Sequence, residues 1–190
     1  GGFGEQILGQ SWVGHYGQNH RQSTRIDLVP GKKNHPILRG VSKVHVKAGG
    51  YNAEAQPDWN ILTMAQPLMS MEPNGGNDPQ KPPMASEWTR AYTAKNGKKG
   101  RVFTSLYGAS MDLVNPGYRR LILNGIYWTV GLEDKIKPDS KSEFVGSFNP
   151  SKFQVRGEVK GVKPSMYADL TGPIPADPKA VVQKVESVTA

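Results

Sequence analysis

Cysteine is absent from this 190-residue sequence. Without thiols, the segment has no disulfide bond, no thiolate metal site and no cysteine nucleophile. Long apolar runs are also lacking, because no stretch approaches the roughly 20 apolar residues of a membrane span. The sequence therefore predicts no membrane-spanning helix. The cysteine count leaves the compartment open, because cysteine-free proteins occur on both sides of a membrane.

Apolar residues are scarce: they make up 36% of the chain, beside 22 glycines and 15 prolines. This is below the level typical of a compact globular domain. The shortage is greatest after Pro138, where Ser, Lys, Gly and Pro dominate. We therefore expect a folded domain over residues 1–137. Residues 138–190 are expected to form an extended Pro/Gly/Lys-rich tail or linker.

The formal net charge is +8, from 24 basic and 16 acidic residues. Such an excess favours anionic partners at long range. The basic residues are scattered, however, and the two densest clusters, at 32–33 and 95–99, fall in turn-like segments. No basic stripe interleaved with aromatic residues is present, which is the usual footprint of a nucleic-acid-binding surface. The sequence predicts no nucleic-acid partner.

Local patterns predict several strands and one clear helix. Residues 87–93 and 101–106 flank the Asn96-Gly97 turn and are expected to pair as a hairpin, with the second strand in a buried position. Asn115 is a good N-cap, Pro116 suits the first helical position, and Gly131 is suited to end the helix. Further strands are expected at 24–29, 44–46 and 59–65, and a surface loop at 70–86.

Four ordered blocks of this sequence resemble the ThuA-like domain family. Residues 99–108 and 118–128 are similar to the family's "GkGRVF…slGH" and "fRRLllNgi.Wa.G" signature. Residues 35–41 resemble its "HPI..G" element, and residues 15–21 lie where the family has a histidine-containing segment. The resemblance covers roughly residues 1–135. The spelling of residues 108–110 and the Pro-rich tail are closest to ThuA-like proteins of planctomycete-type bacteria.

This resemblance implies an α/β fold, a flavodoxin-like three-layer sandwich similar to class I glutamine amidotransferases. The first strands of that fold would lie upstream of Gly1, so the chain would be a C-terminal fragment. The resemblance also implies a role in bacterial trehalose or related sugar or keto-sugar metabolism. A periplasmic or secreted location and a small-molecule sugar ligand are further expectations from it. It leaves the cofactor and the oligomeric state open.

His15 and His20 are the first candidates for a catalytic role, because imidazole titrates near neutral pH. Their separation of five residues does not fit the i, i+4 pair of a helical metal site, and no metal site is predicted. Gln18, Asn19 and Arg21 lie between and beside them and could bind a sugar through directional hydrogen bonds. The alternative is a polar loop that faces water, with one or both histidines bonded to backbone.

A second group of candidates follows the strand at 101–106. Ligands of open α/β sheets bind beyond the carboxyl ends of the strands, which favours Tyr107 and Ser110 as substrate-binding residues and Asp112 as a catalytic one. The alternative is an ordinary helix entry at which Asp112 adds charge. Several other side chains could also reach a pocket or stack on sugar rings: Tyr51, Glu54, Trp12, Trp59 and Trp88. Trp128 is expected in the core.

Three functions remain open. The first is an enzyme of sugar metabolism, and the second is a non-catalytic carbohydrate-binding or scaffold module. The third is an amidotransferase-like hydrolase whose nucleophile lies upstream. The family's histidine after the strand is replaced here by Tyr107-Gly108-Ala109-Ser110, which favours the second over the third. If His15 or His20 shares a cleft with Tyr107 and Asp112, the enzyme is favoured; if both lie on the surface, the module is favoured.

Overall fold

The structure is a computed structural model that describes residues 2–146 together with 148, 150, 161, 163 and 165. The chain divides into two compact units, 1–142 and 143–190. The predicted tail therefore lies mostly outside the described residues. In the second unit, the rings of Phe144 and Phe148 stack with their centroids 4.2 Å apart.

The first unit is built on a curled five-stranded sheet in the order β2-β1-β3-β4-β5. The strands are β1 (Thr24–Leu28), β2 (Val44–Val46), β3 (Asn60–Pro67), β4 (Met84–Thr93) and β5 (Lys99–Ser105). One α-helix, α1, spans Pro116–Thr129. Four one-turn helices cover Gly4–Leu8, Pro36–Leu38, Ser110–Val114 and Glu133–Lys135.

The expected flavodoxin-like three-layer sandwich is wrong. All four strand pairs are antiparallel, and the sheet curls into a half-barrel with α1 as its one long helix in the described residues. A flavodoxin-like fold needs parallel strands joined by crossover helices that cover both faces. Here a hairpin joins β4 to β5, and the three longer connections, 29–43, 47–59 and 68–83, contain no α-helix; the last of them carries four prolines.

The predicted hairpin and helix are confirmed, whereas the loop predicted at 70–86 ends earlier, because β4 begins at Met84 and Ala85 and Ser86 are buried. Strands β4 and β5 form the expected hairpin, with Thr93 opposite Lys99. The Asn115 side chain accepts a hydrogen bond of 2.9 Å from the Tyr118 backbone N–H, and Gly131 follows the helix with a φ of 80°. Strand β5, however, lies at the sheet edge and is half-buried, which is more exposed than expected.

The main core lies between the sheet and α1. Tyr118 and Leu121 of the helix are fully buried against Ile26, Val46 and Leu62 of the sheet. Gly125 lets the helix approach β5, because a side chain there would overlap the Phe103 ring. The opposite face of the sheet carries a smaller core in which Trp59 and Trp88 stack 3.7 Å apart. Trp88 donates a 2.9 Å hydrogen bond to the Leu8 carbonyl, which fastens the N-terminal segment to this face.

Candidate functional site

The two loops that carry the predicted site residues both reach the turn at 47–50, which follows β2. From one side, the Asn19 side-chain oxygen accepts a 2.9 Å hydrogen bond from the Gly49 N–H. From the other side, Asp112 Oδ1 accepts hydrogen bonds from the N–H groups of Lys47 (2.8 Å) and Ala48 (3.1 Å). The two loops therefore meet at this turn and stabilise it (the braced turn), because the side chains of Asn19 and Asp112 accept hydrogen bonds from its backbone.

Asp112 is 1% exposed and uses both oxygens. Oδ2 accepts from the Ala109 N–H at 3.1 Å and from the Gly108 N–H at 3.4 Å, so the carboxyl group joins the loop after β5 to the turn after β2. Burial raises the pKa of Asp112, against the opposing effect of these backbone donors. With its acceptor sites directed at backbone, Asp112 fits a structural role better than a catalytic one.

Residues 14–17 run antiparallel to residues 49–52 as a short ladder. The Tyr16 N–H donates to the Gly50 carbonyl at 3.0 Å, and the Gly17 N–H donates to the Gly49 carbonyl at 2.8 Å. The Asn52 N–H donates to the Gly14 carbonyl at 2.9 Å. This ladder places His15 directly opposite Tyr51. The polar segment at 14–17 therefore has a regular, strand-like backbone that is paired with residues 49–52.

Tyr107 supports this ladder from below. Its side chain is 9% exposed, and burial raises its pKa. Gly50 lies over the phenol ring with a φ of 72°, and a Cβ at this position would overlap the ring and its oxygen. The predicted ligand-binding residue Tyr107 is therefore packed beneath the turn.

Replacing Gly50 by alanine is expected to lower the free energy of unfolding by about 2–3 kcal/mol, because the change combines a left-handed backbone with a steric overlap. Gly97→Ala is the matched control, since Gly97 has a φ of 80° and nothing within 4 Å of an added Cβ. It should cost about 1 kcal/mol. Chemical denaturation of both variants measures the difference, and equal losses would show that Tyr107 does not restrict this position.

Above the ladder, Trp12, His15 and Tyr51 form an exposed aromatic cluster. The His15 and Tyr51 rings are stacked, with centroids 5.4 Å apart and planes 23° apart. The Trp12 ring stands nearly perpendicular to both, at 77° to His15 and 84° to Tyr51. Trp12 is 67% exposed and Tyr51 is 39% exposed. Aromatic surface is thus offered to solvent in two perpendicular directions.

A polar groove of about 640 Å³ adjoins this cluster, with Trp12 on its wall. Its volume falls within the range of roughly 300–1,000 Å³ that is common for small-molecule sites. Gln10 fixes one wall, because its side chain donates to the Asn52 carbonyl at 2.6 Å and accepts from the Glu54 N–H at 2.7 Å. The other polar residues of the groove are Glu5, Ser11, Glu54, Gln56, Asp58 and Arg90.

The remaining predicted site residues lie elsewhere on the surface. His20 is exposed in a turn with a φ of 68°, and Ser110 is exposed at the start of a one-turn helix. Gln18 and Arg21 line a shallow polar groove beside Asp78. The Gln22 amide donates to Asp78 at 2.7 Å, and this bond is the main cause of the lowered pKa of Asp78. No groove described here contains both a predicted histidine and Tyr107 or Asp112.

Glu87, at the centre of β4, is a buried ionisable residue that the sequence patterns do not identify. It is fully buried and accepts hydrogen bonds from the hydroxyls of Thr63, Ser86 (2.7 Å) and Ser105 (2.8 Å). The Ser105 hydroxyl also lies 3.1 Å from that of Tyr118, which extends the network to α1. Burial raises the pKa of Glu87, and the three hydroxyl donors oppose this shift.

The described residues contain no cluster of three or more His, Asp or Glu side chains suited to hold a metal ion. Within the same part of the chain, no helix has the length and apolar character needed to cross a membrane. Fold and surface together define an antiparallel sheet domain backed by one helix, with an exposed aromatic cluster at one side. Comparison with protein-family models, curated proteins and solved structures finds no match to this chain.

Proposed function

We propose that this domain is a non-catalytic carbohydrate-binding module whose contact surface is the cluster of Trp12, His15 and Tyr51. The observation that carries the proposal is the position of the exposed Trp12 ring on the wall of a polar groove. A sugar ring presents C–H groups to the negative face of an aromatic ring, while its hydroxyls require directional donors and acceptors. The cluster and the groove supply these two requirements side by side.

The polar groups of the groove include acceptors and donors suited to the hydroxyls of a sugar. Glu5 and Glu54 contribute carboxylates, and Gln56 contributes an amide, while the Arg90 guanidinium is engaged by Asp58 at 2.6 Å. Carboxylates accept hydrogen bonds from neutral hydroxyls, and amides both accept and donate them. A neutral sugar is the ligand class that we favour, because the aromatic cluster and the polar groove lie side by side.

The catalytic alternative has less support. A general acid–base pair must lie within hydrogen-bond reach of one substrate position. His15 and His20 are exposed, whereas Tyr107 and Asp112 are buried beneath the turn that they stabilise. The two sets of residues therefore do not form a common cleft, and binding without chemistry is the simpler role.

We expect Trp12→Ala and Tyr51→Ala each to weaken sugar binding roughly 5- to 30-fold, since an aromatic contact of this kind contributes on the order of 1–2 kcal/mol. The probes are trehalose, maltotriose, cellotriose and xylotriose, titrated to about 10 mM and followed by isothermal calorimetry or NMR shifts. Phe3→Ala is the control, because Phe3 is 68% exposed and lies outside the cluster.

The control variant should bind as the wild type does, and circular dichroism should show that all three variants remain folded. If none of the four sugars binds to the wild-type chain, or if one binds equally well to Trp12→Ala, the proposed function is wrong. A fall in affinity that is the same for Phe3→Ala would also exclude the aromatic cluster as the contact surface.

A further inference from the structure

A small cavity lies between α1 and the segment at 136–142, which returns beside the helix. Ile136 is buried and anchors the start of this segment. Further along, Arg119 donates a 2.8 Å hydrogen bond to the Ser142 carbonyl, and Arg120 donates to the Ser140 carbonyl. The space left between the helix and the segment measures about 160 Å³. At roughly 30 Å³ per water molecule, it suits a ligand no larger than about five waters.

The walls of this cavity carry positive charge. Arg120, Lys135 and Lys141 contribute cationic groups, and none of the residues that line the cavity is Asp or Glu. The Ser140 carbonyl occupies one part of the Arg120 guanidinium, which has five N–H donors in all. Lys135 forms an exposed ion pair of 3.3 Å with Asp134, which is not a lining residue. This arrangement of charge favours an anionic ligand.

Asn124 adds one buried acceptor to the cationic surface. It is 4% exposed and lines the cavity. Its side-chain NH₂ group donates to the Ile37 carbonyl at 2.9 Å and to the Arg39 carbonyl at 3.0 Å, so the orientation of the amide is fixed. Within the described part of the chain no donor reaches Asn124 Oδ1, which is therefore the polar atom left to face the cavity. A ligand that brings a hydroxyl proton satisfies such an oxygen.

We propose that this cavity binds a small oxyanion that also carries a hydroxyl group, with hydrogen phosphate as the ligand. The anionic oxygens accept hydrogen bonds from Arg120 and Lys141, and the hydroxyl of the phosphate donates to Asn124 Oδ1. The Ser140 hydroxyl is a further donor, since its oxygen accepts a 3.2 Å hydrogen bond from the Lys137 N–H and its proton is left for the cavity.

The buried acceptor predicts a choice between two ions of the same shape. At neutral pH a phosphate ion retains at least one O–H group, whereas sulfate has only acceptor oxygens. Sulfate therefore brings an oxygen toward Asn124 Oδ1 with no proton between them, which is repulsive. The cavity shares no lining residue with the groove beside the aromatic cluster, so phosphate binding and sugar binding are independent of each other.

Titration of the full 190-residue chain with sodium phosphate at neutral pH and constant ionic strength tests the proposal. We expect saturable binding with a dissociation constant on the order of 1 mM, and binding of sulfate about 10-fold weaker or less. In NMR spectra, the side-chain NH₂ signals of Asn124 should shift with phosphate and stay in place with sulfate, because the hydroxyl bond is made to the same amide.

Lys141→Glu is expected to weaken phosphate binding about 5- to 10-fold, because it replaces a cation of the wall by a carboxylate. Lys137→Glu is the matched control: it makes the same change of charge in the same segment but outside the cavity lining, and it should bind within about 2-fold of the wild type. Thermal unfolding checks that both variants are folded. The absence of saturable phosphate binding up to about 50 mM, equal weakening by the two variants, or equal affinity for phosphate and sulfate overturns the proposal.

Discussion

Glu87→Ala is expected to lower the free energy of unfolding by about 3–5 kcal/mol, a large part of the roughly 5–15 kcal/mol that stabilises a domain of this size. Glu87 is fully buried, and its removal leaves the hydroxyls of Thr63, Ser86 and Ser105 without their acceptor. These hydroxyls belong to β3, β4 and β5, and the bonds that remain between Thr63 and Ser86 and between Ser105 and Tyr118 replace only part of what the carboxyl group accepts, so one substitution weakens three adjacent strands. Urea denaturation followed by circular dichroism measures the loss.

Glu87→Gln keeps the shape of the side chain and serves as the control, with a smaller loss expected. It also isolates the titration of Glu87. Burial raises the pKa of Glu87, so the folded protein holds this proton more tightly than the unfolded chain does. The contribution of Glu87 to stability is therefore complete below the unfolded pKa of about 4.3 and decreases as the pH rises through the folded pKa.

The stability of the wild type relative to Glu87→Gln should therefore fall with rising pH across this interval, by at most about 1.4 kcal/mol per pH unit. Other titrating groups, such as Asp112, are present in both proteins and largely cancel in the difference. A wild type that becomes more stable than Glu87→Gln over the same interval would mean that the hydroxyl donors outweigh burial and lower the pKa of Glu87.

The elements that the sequence predicts well are those with local signals. The Asn115 side chain caps the helix that begins at Pro116, and Gly131 ends it, all within 17 consecutive residues. The hairpin of β4 and β5 follows in the same way from the turn around Asn96-Gly97. In both cases the residues that determine the geometry are close neighbours in the chain, so no knowledge of the rest of the fold is needed.

The pairing of the strands is not determined by the same local patterns, because the pairing partners are far apart in the sequence. Thr24 of β1, for example, lies opposite Pro67 of β3 and also opposite Val46 of β2. Alternation of polar and apolar residues is itself more typical of antiparallel strands than of parallel strands, which are buried on both faces and carry continuous apolar runs. The flavodoxin-like prediction relied on a resemblance that the described sheet does not follow, because every strand pair is antiparallel.

The sequence predicts only part of the candidate site, for a related reason. The sequence indicates Trp12, His15 and Tyr51 one by one, but their contact depends on the ladder between 14–17 and 49–52. That ladder joins segments more than 30 positions apart through backbone hydrogen bonds, and the pattern of side chains in the sequence does not predict such bonds. Glu87 is a similar case: its partners become evident only once the register places it opposite Thr63 and Ser105.

Asp112→Ala should show how far the surface cluster depends on buried bonding. Four backbone N–H groups, two after β2 and two after β5, would lose their acceptor. Buried donors without partners cost about 1–3 kcal/mol each when water cannot reach them, and partial hydration of the loops limits the sum. We expect a loss of about 3–5 kcal/mol in the free energy of unfolding, measured by urea denaturation. Sugar binding should weaken as well, because the turn at 47–50 leads directly into Tyr51.

Asp112→Asn separates this structural role from a catalytic one. The amide keeps one oxygen acceptor but turns an N–H₂ group toward backbone donors, so part of the bonding is lost and part is replaced by repulsion. If Asp112 has this structural role, Asp112→Asn lowers the free energy of unfolding by an amount between zero and the loss in Asp112→Ala. A catalytic carboxylate predicts instead that stability is retained while turnover is lost. An Asp112→Asn protein as stable as the wild type would therefore contradict the structural role of Asp112 and make it a catalytic candidate again. It would also show that the aromatic cluster does not depend on the hydrogen bonds that Asp112 accepts.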